Sequence, residues 1–435
     1  MERWSGLTGE EFFSGLEVEQ TRSKGILSPV EALVYRGSNR LCVHNFSTCI
    51  DHQREERNMD LGFTETQEIL KRTAREFLTK ECPTSLVRDM EGTDTGLPED
   101  LWSQMSAMGW MGLPFSAQYG GGGGSLTDLA VLVEEMGRFL VPGPFFNTVV
   151  EAGLLVNEAG PPNIRETYIP RFASGAVIAT CALRETDSRF VPEAVNCHVD
   201  TVEGGYCLNG TKLFVEHASA ANSLLVSAVG RKDNNAAQVT LFMVPSSLTG
   251  ISLTPMENLA REPLFEVNFE NVEIPVDSIV GKLDNGWPSI QKYLNLSTIM
   301  NCARSVGGAQ SVLDRTVEYV KGRVQFGRPI GSFQSVQHDC ADMVNAIDAA
   351  RLATYQAIAR LEDGEDAERE ISLARILTDY SYKWTTLTAQ QLHGGIAFME
   401  EYDLQLWTRR ARVSELKYES ASVHRERYAN AMGLM

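Results

Sequence analysis

The sequence predicts an α+β chain: an N-terminal α-helical domain, a small central β domain (barrel or sandwich) and a C-terminal four-helix bundle. Three observations carry this expectation. Apolar residues recur at helical spacing from Met59 to about residue 175, the period falls to two between about 176 and 283, and the helical period then returns for the rest of the 435 residues. The expected domains are therefore 59–175, 176–283 and 284–435, preceded by an extension over 1–58.

Residues 1–58 show no sustained period, and REERN at 54–58 closes them, so this stretch is expected to lie outside the fold or to come from an overcalled start. From there the signals are clean. Thr64 and Gln67 have capping-box spacing, and Leu70, Ala74, Phe77 and Leu78 follow on one helical face. LWSQMSAMGWMGL and SLTDLAVLVEEMGRFL continue the helical pattern. The glycine run at 120–124 lacks the Lys-Ser/Thr ending of a phosphate loop and follows no strand, so it reads as a flexible lead-in to a helix.

In the central block GAVIATCAL, NSLLVSAVG, QVTLFMVP and LFEVNFENVEI are short apolar or alternating runs, and EGG, LNG and KDNN are the expected turns between them. After Gly286 four long helical segments are expected: QKYLNLSTIM through VQF, SVQHDC through LEDG, ERE through Gln391, and a last one from about Leu404.

Composition narrows function. A formal net charge of -18 argues against sequence-independent binding to nucleic acid or to an anionic lipid surface, so any bound anion must be met by local basic residues. There is no run of eighteen apolar residues and no signal-peptide pattern, which gives the expectation of a soluble, cytoplasmic protein without a membrane partner. Eight cysteines without a C-x-x-C pair fit buried thiols in a reducing compartment, and seven scattered histidines give no metal-ligand spacing.

Two stretches stand out. RVQFGRPIGSFQSVQHDCADM, 323–343, is a basic, glycine-studded corner between two helices, and QLHGG at 391–395 is a helix stop. From the residues alone the corner is either a capped helix end with solvated arginines or an anion site. His393 reads as a satisfied polar residue rather than a ligand.

An α block, a β block and a bundle in that order, with RVQFGRPIGSFQSVQH at the bundle corner and QLHGGIAFMEEY at 391–402, resemble the acyl-CoA dehydrogenase family over residues 59–435. WMGLPFSAQYGGGG is similar to an aromatic-glycine turn common in that family. The resemblance implies FAD as cofactor. It implies that Arg323 reaches across a dimer interface to the pyrophosphate of the neighbouring subunit's FAD, a role suited to a guanidinium. It places Gln325 in the same set, Phe333 and Gln334 along the neighbouring adenosine half, and Gln391, Gly394 and Gly395 around the adenine-ribose end. The implied reaction removes the α-proton of an acyl-CoA thioester and passes hydride from the β-carbon to the flavin, giving an enoyl-CoA. The implied partners are acyl-CoA, a second copy or a related subunit, and an electron-transferring flavoprotein as acceptor.

The chain also departs from the family. The position of the usual catalytic Glu holds Tyr418, and the alternative position on the first bundle helix holds Ser297, leaving Glu419 as the nearest candidate base. A phenol with a pKa near ~10 is a poor base at neutral pH. Where members read T-E-P the chain has LRETDSRFVPEAVN, and where they read Trp-Ile-Thr it has FVE, so Arg184 and Glu216 replace small hydroxyls while Glu185 remains. Three readings stay open. One is a dehydrogenase subunit using Glu419 or another carboxylate as base. The second is a base-less partner that lends Arg323 and QLHGG to another chain, resembling the heteromeric bacterial enzymes of sterol side-chain degradation. The third is a flavin oxidase or monooxygenase on the same scaffold.

Overall fold

The computed structural model describes residues 62–187, 189–230 and 238–434. The extension expected over 1–58, with Cys42 and Cys49, and the KDNN turn lie outside the described residues.

Helix α1 (Glu65–Glu81) begins with the expected capping box: the Gln67 amide N–H donates to the Thr64 hydroxyl at 3.3 Å, and the Gln67 side-chain carbonyl accepts from the Thr64 N–H at 2.9 Å. Ala74 and Leu78 are fully buried and Leu70 and Phe77 pack at the edge of the same core. The remaining helices of this block are α2 (Thr84–Met90), α3 (Glu99–Ala107), α4 (Leu126–Phe139), a π-helical segment Phe146–Gly153, α5 (Leu154–Ala159) and α6 (Pro162–Ala173). The glycine run is no flexible lead-in. The Gly122, Gly123 and Gly124 N–H groups donate to the carbonyls of Gly112, Phe115 and Leu113 at 2.8–2.9 Å, and a Cβ on Gly121 would overlap the Phe115 backbone. Glycine is required there because two backbones touch.

The central block forms one eight-stranded sheet from β1 (Ala179–Ala182), β2 (His198–Val202), β3 (Gly205–Glu216), β4 (Ser223–Gly230), β5 (Val239–Pro245), β6 (Ile251–Pro255), β7 (Leu264–Pro275) and β8 (Ile279–Val280). Its order is β6-β7-β3-β2-β4-β5-β8, with β1 parallel to β4. The continuous apolar run NSLLVSAVG becomes β4, buried along nearly its whole length. EGG is the β2–β3 turn, with Gly204 at φ 84°. LNG, expected as a turn, instead lies inside β3, where the pairing with β7 slips between Leu208 and Gly210. A Cβ on Gly210 would come within 2.7 Å of the Cys197 Cα, so this glycine serves a bulge against β2.

Helices α7 (Trp287–Gly322), α8 (Gln334–Glu362), α9 (Glu368–His393), α10 (Leu404–Leu416) and α11 (Ala421–Ala431) follow. The single last helix expected from the sequence is therefore two helices, broken around Tyr418, whose φ of 55° is left-handed. Helix α9 packs against α7, α8, α10 and α11. Cys82, Cys181, Cys197, Cys207, Cys302 and Cys340 are free thiols. No helix among the described residues is long and apolar enough to cross a membrane.

Helix α4 crosses α7 with backbones in contact. A Cβ on Gly137 would overlap the Arg304 carbonyl, and one on Gly307 would overlap the Glu134 carbonyl. Neither partner atom belongs to a side chain that could turn aside. Gly307→Ala is therefore expected to lower stability by about 3 kcal/mol, measured by urea unfolding followed by far-UV circular dichroism; a loss below about 1 kcal/mol would mean that the crossing can open without cost.

Candidate functional site

The corner between α7 and α8 is a small hairpin. Strand β9 (Val324–Gln325) pairs with β10 (Arg328–Pro329), and Phe326 and Gly327, at φ 54° and 80°, make the two-residue turn. Such a turn needs left-handed residues, which explains Gly327. Gly331 has a different reason: its Cβ would sit 3.1 Å from the Val320 carbonyl, so glycine lets the corner lie on α7. Phe333 precedes α8, meets Phe326 edge-on at 6.1 Å and carries the Arg328 guanidinium 4.1 Å from its ring centre. Arg323, Gln325 and Gln334 are exposed, and Arg323 has no ion-pair partner among the described residues.

The helix stop at QLHGG is tied to this corner. Tyr319, whose carbonyl accepts the Arg323 N–H at 2.8 Å, stacks on His393 at 4.1 Å and donates its hydroxyl to the His393 carbonyl at 3.2 Å. His393 Nδ1 lies 2.8 Å from the Ala389 carbonyl, so this histidine is a packing residue, as its sequence context suggests. Gly394, at φ 69°, and Gly395 have no atom within 4 Å of where a Cβ would stand, and Gln391 is exposed. The structure thus brings Arg323, Gln325, Phe333, Gln334, Gln391, Gly394 and Gly395 to one end of the bundle, on an open ledge.

A second constellation lies where the β sheet meets α7, the π-helical segment and the break after α10. It surrounds a cavity of about 50 Å³. The π-helical segment supplies Asn147 and Glu151, α7 supplies Tyr293, the break supplies Lys417 and Tyr418, and β1 with its following loop supplies Cys181 and Arg184. Strand β3 supplies Phe214 and Glu216 through the register slip between Lys212 and Val215, and Phe214 adopts φ 57°.

The polar groups form one chain. Lys417 Nζ pairs with Glu216 at 2.6 Å, and Asn147 Nδ2 donates to Glu216 at 3.1 Å and to Glu151 Oε2 at 2.8 Å. Glu151 Oε1 accepts from the Tyr418 hydroxyl at 2.7 Å and from Tyr293 at 3.4 Å. The Arg184 guanidinium is wedged between the rings of Phe190 and Phe214, 5.4 and 5.5 Å from their centres, and reaches the Leu416 carbonyl.

Burial, then the charge of Glu216, pushes the Glu151 carboxyl above its ordinary range, against the pull of Lys417 and its hydrogen bonds. Burial acts on Glu216 in the same direction, but Lys417, Arg304 and Asn147 outweigh it and hold that group at about 2. The Tyr418 phenol is driven well up by burial and by Glu151. The two carboxyls are thus pushed in opposite directions, Glu151 up and Glu216 down.

Glu419, the base suggested by the sequence, is not in this cavity. Its carboxylate is bound by both outer nitrogens of Arg427, at 2.5 and 2.7 Å, on the α11 side. The backbone is not helical here, yet the left-handed Tyr418 still sends consecutive side chains to opposite sides. Arg375, fully buried, fixes this break by donating to the carbonyls of Ser414 and Lys417 at 2.8 and 3.1 Å. Ser297 is fully buried and its hydroxyl has no partner among the described residues. Glu185 forms a buried ion pair with Lys212 at 2.7 Å and accepts from the N–H groups of Asn196 and Cys197, a bond set that closes the loop before β2. Sequence reasoning missed Glu151, Asn147, Tyr293 and Lys417. Glu151 was findable: it is the one charge in FFNTVVEAGLLV, with Asn147 four residues before it.

Comparison with known proteins agrees with the fold. The acyl-CoA dehydrogenase N-terminal, middle and C-terminal domain families match residues 64–176, 181–272 and 284–432. Acryloyl-CoA reductase (NADH) of Anaerotignum propionicum is 28% identical over 377 residues, covering 85% of this chain and 95% of the relative. The Tcur3481-Tcur3483 steroid ACAD superposes with a TM-score of 0.75 at 28% identity, covering 85% of this chain and 98% of that one. The ChsE4-ChsE5 complex of Mycobacterium tuberculosis shares the fold, with a TM-score of 0.78 at 22% identity over 87% of this chain and 100% of that one.

The upward shift of Glu151 has a consequence for stability. Above its ordinary value of 4.5 the unfolded chain releases this proton while the folded chain retains it, so Glu151 makes stability fall as pH rises through that point until the folded value is passed. Asp379, raised to about 6 by burial, adds a slope of the same sign, and Glu216 one of opposite sign below 4.5. Comparing wild type with Glu151→Gln isolates the first. Urea unfolding between pH 5 and 8 is expected to show a flatter pH dependence in the variant; parallel curves would mean that Glu151 is ionised in the folded protein.

Proposed function

The chain belongs to the acyl-CoA dehydrogenase family of FAD-dependent oxidoreductases acting on CH–CH groups, and on that premise we propose that it works as the subunit that lends its bundle corner to FAD held mainly by a related, base-containing subunit. FAD supplies the hydride acceptor. The ledge fits its adenosine and pyrophosphate end: Arg323 is exposed and unpaired, Phe333 offers a ring, and Gly394 and Gly395 leave room for close approach.

The observation that carries the reading is the state of the chain's own strand face. Arg184 and the Glu216–Lys417 ion pair stand where the family resemblance puts small hydroxyls against the flavin. They leave about 50 Å³, whereas ligand clefts span roughly 300–1,000 Å³. The residues present do not fit an isoalloxazine ring there. That the ChsE4-ChsE5 relative is itself a complex supports a two-component assembly. The proposal extends to an acyl-CoA thioester as the assembly's substrate, in keeping with the acryloyl-CoA reductase relative, and to an electron-transferring flavoprotein as acceptor.

A second reading rests on the 2.7 Å bond between Tyr418 and Glu151, which puts a desolvated carboxylate at the place where the usual base is missing. In that reading the chain dehydrogenates its own thioester, with Glu151 Oε1 taking the α-proton after Arg184 and Lys417 have moved.

Purification alone and with a base-containing homologue separates the two. The chain alone is expected to be colourless and the mixed assembly yellow. In the assembly, Arg323→Ala is expected to weaken FAD retention about ten- to a hundredfold, the loss of a charge-assisted contact of roughly 1.5–3 kcal/mol. A yellow homomer bleached by acyl-CoA, and no longer bleached as Glu151→Gln, would replace the first reading by the second.

A further inference from the structure

Between α4, α7 and α10 lies another chamber, with about 60 Å³ of free space, that shares no lining residue with the Glu151 cavity. Gly137 and Gly143 are part of its lining. One wall is apolar, with Val133, Met136 and Leu140; on the other stand Arg304, Ser305 and Tyr382.

Its charged lining residues are Arg304, Arg410 and Glu262. Arg410 pairs with Glu262 at 3.1 Å and with Glu91 at 3.2 Å. Arg304 has no carboxylate within ion-pair distance among the described residues; Glu262 and Glu216 act on it only from farther off. Among the described residues its hydrogen bond is a single N–H donated to the Asn301 side-chain carbonyl at 3.1 Å, and its guanidinium lies 4.6 Å from the Phe146 ring centre. A half-buried guanidinium with spare N–H groups and no ion pair at contact distance among the described residues can accept an anion.

We propose that this chamber binds a short monocarboxylate, its carboxylate on Arg304 and its hydrocarbon against Val133, Met136 and Leu140. The free space holds roughly four or five water-sized spheres, which suits an acid of about four to six non-hydrogen atoms. The site does not depend on which chain holds the flavin, so the inference stands apart from the assembly reading.

Isothermal titration of the full chain with sodium butyrate, with 1-butanol as the uncharged control of the same length, tests it. Butyrate is expected to bind one per chain and at least about tenfold more tightly than butanol, since a charge-assisted bond to a guanidinium exceeds a neutral one by that margin. Arg304→Met is expected to erase the difference. Val413→Phe, which narrows the chamber from its partly exposed side, is expected to abolish binding of both ligands with the fold retained by circular dichroism. Should Arg304→Met fail to fold, Val413→Phe decides alone. Butyrate no tighter than butanol, or butyrate binding unchanged in either folded variant, overturns the proposal.

Discussion

The contact of α4 with α7 through Gly137 and Gly307 governs where most functional groups stand. Two helices at backbone contact have no freedom to slide without a clash, so their relative register is fixed to the residue. Helix α7 then carries Tyr293, Ser297 and Arg304 along one buried length and delivers Arg323 at its end. Helix α4 hands the chain to the π-helical segment that carries Asn147 and Glu151. The chamber beside Arg304 lies next to this contact, with Gly137 in its lining.

The break between α10 and α11 is a second decision point, subordinate to the first. Arg375 has no exposure to solvent, donates one outer nitrogen to two backbone carbonyls and forms an ion pair with Asp379. Those bonds hold Lys417 and Tyr418 toward the cavity and leave Glu419 to Arg427. Removing a buried guanidinium from such carbonyls would strand them without partners, so the break is held as firmly as a helix. The polar chain from Lys417 to Tyr418 is the result: one carboxyl held down by Lys417, one pushed up by burial, and an amide donating to both.

The two functional regions differ in how they treat charge. At the ledge, Arg323 and Arg328 are exposed and glycines keep the backbone clear, an arrangement able to receive an anionic group from outside. In the cavity Glu216 and Lys417 pair with each other and Arg184 is held between two rings, and these groups fill the volume a ligand would need. An ion pair buried this way adds little net stability against an apolar replacement, but it resists opening, since separating the partners exposes both to desolvation without compensation. The chain is therefore built to give at one end and to remain closed at the other.

The capping box at Thr64, the apolar run of β4, the period switch at the block boundaries and the helix stop at QLHGG were legible because each is local: periodicity and cap chemistry need only neighbouring residues. The ledge residues were legible too, since they cluster in two short motifs. What local pattern misplaced were the LNG segment, whose glycine answers to Cys197 in the loop before β2, and the 120–124 glycines, of which Gly121 answers to Phe115. Glu419 was the nearest carboxylate in sequence and Glu151 the nearest in space, 267 positions from Tyr418 along the chain. Spacing along a chain reports which face a residue shares with its neighbours. Which charge is paired and which carboxyl is pushed up or down depend on distances between separate elements, and those exist only after packing.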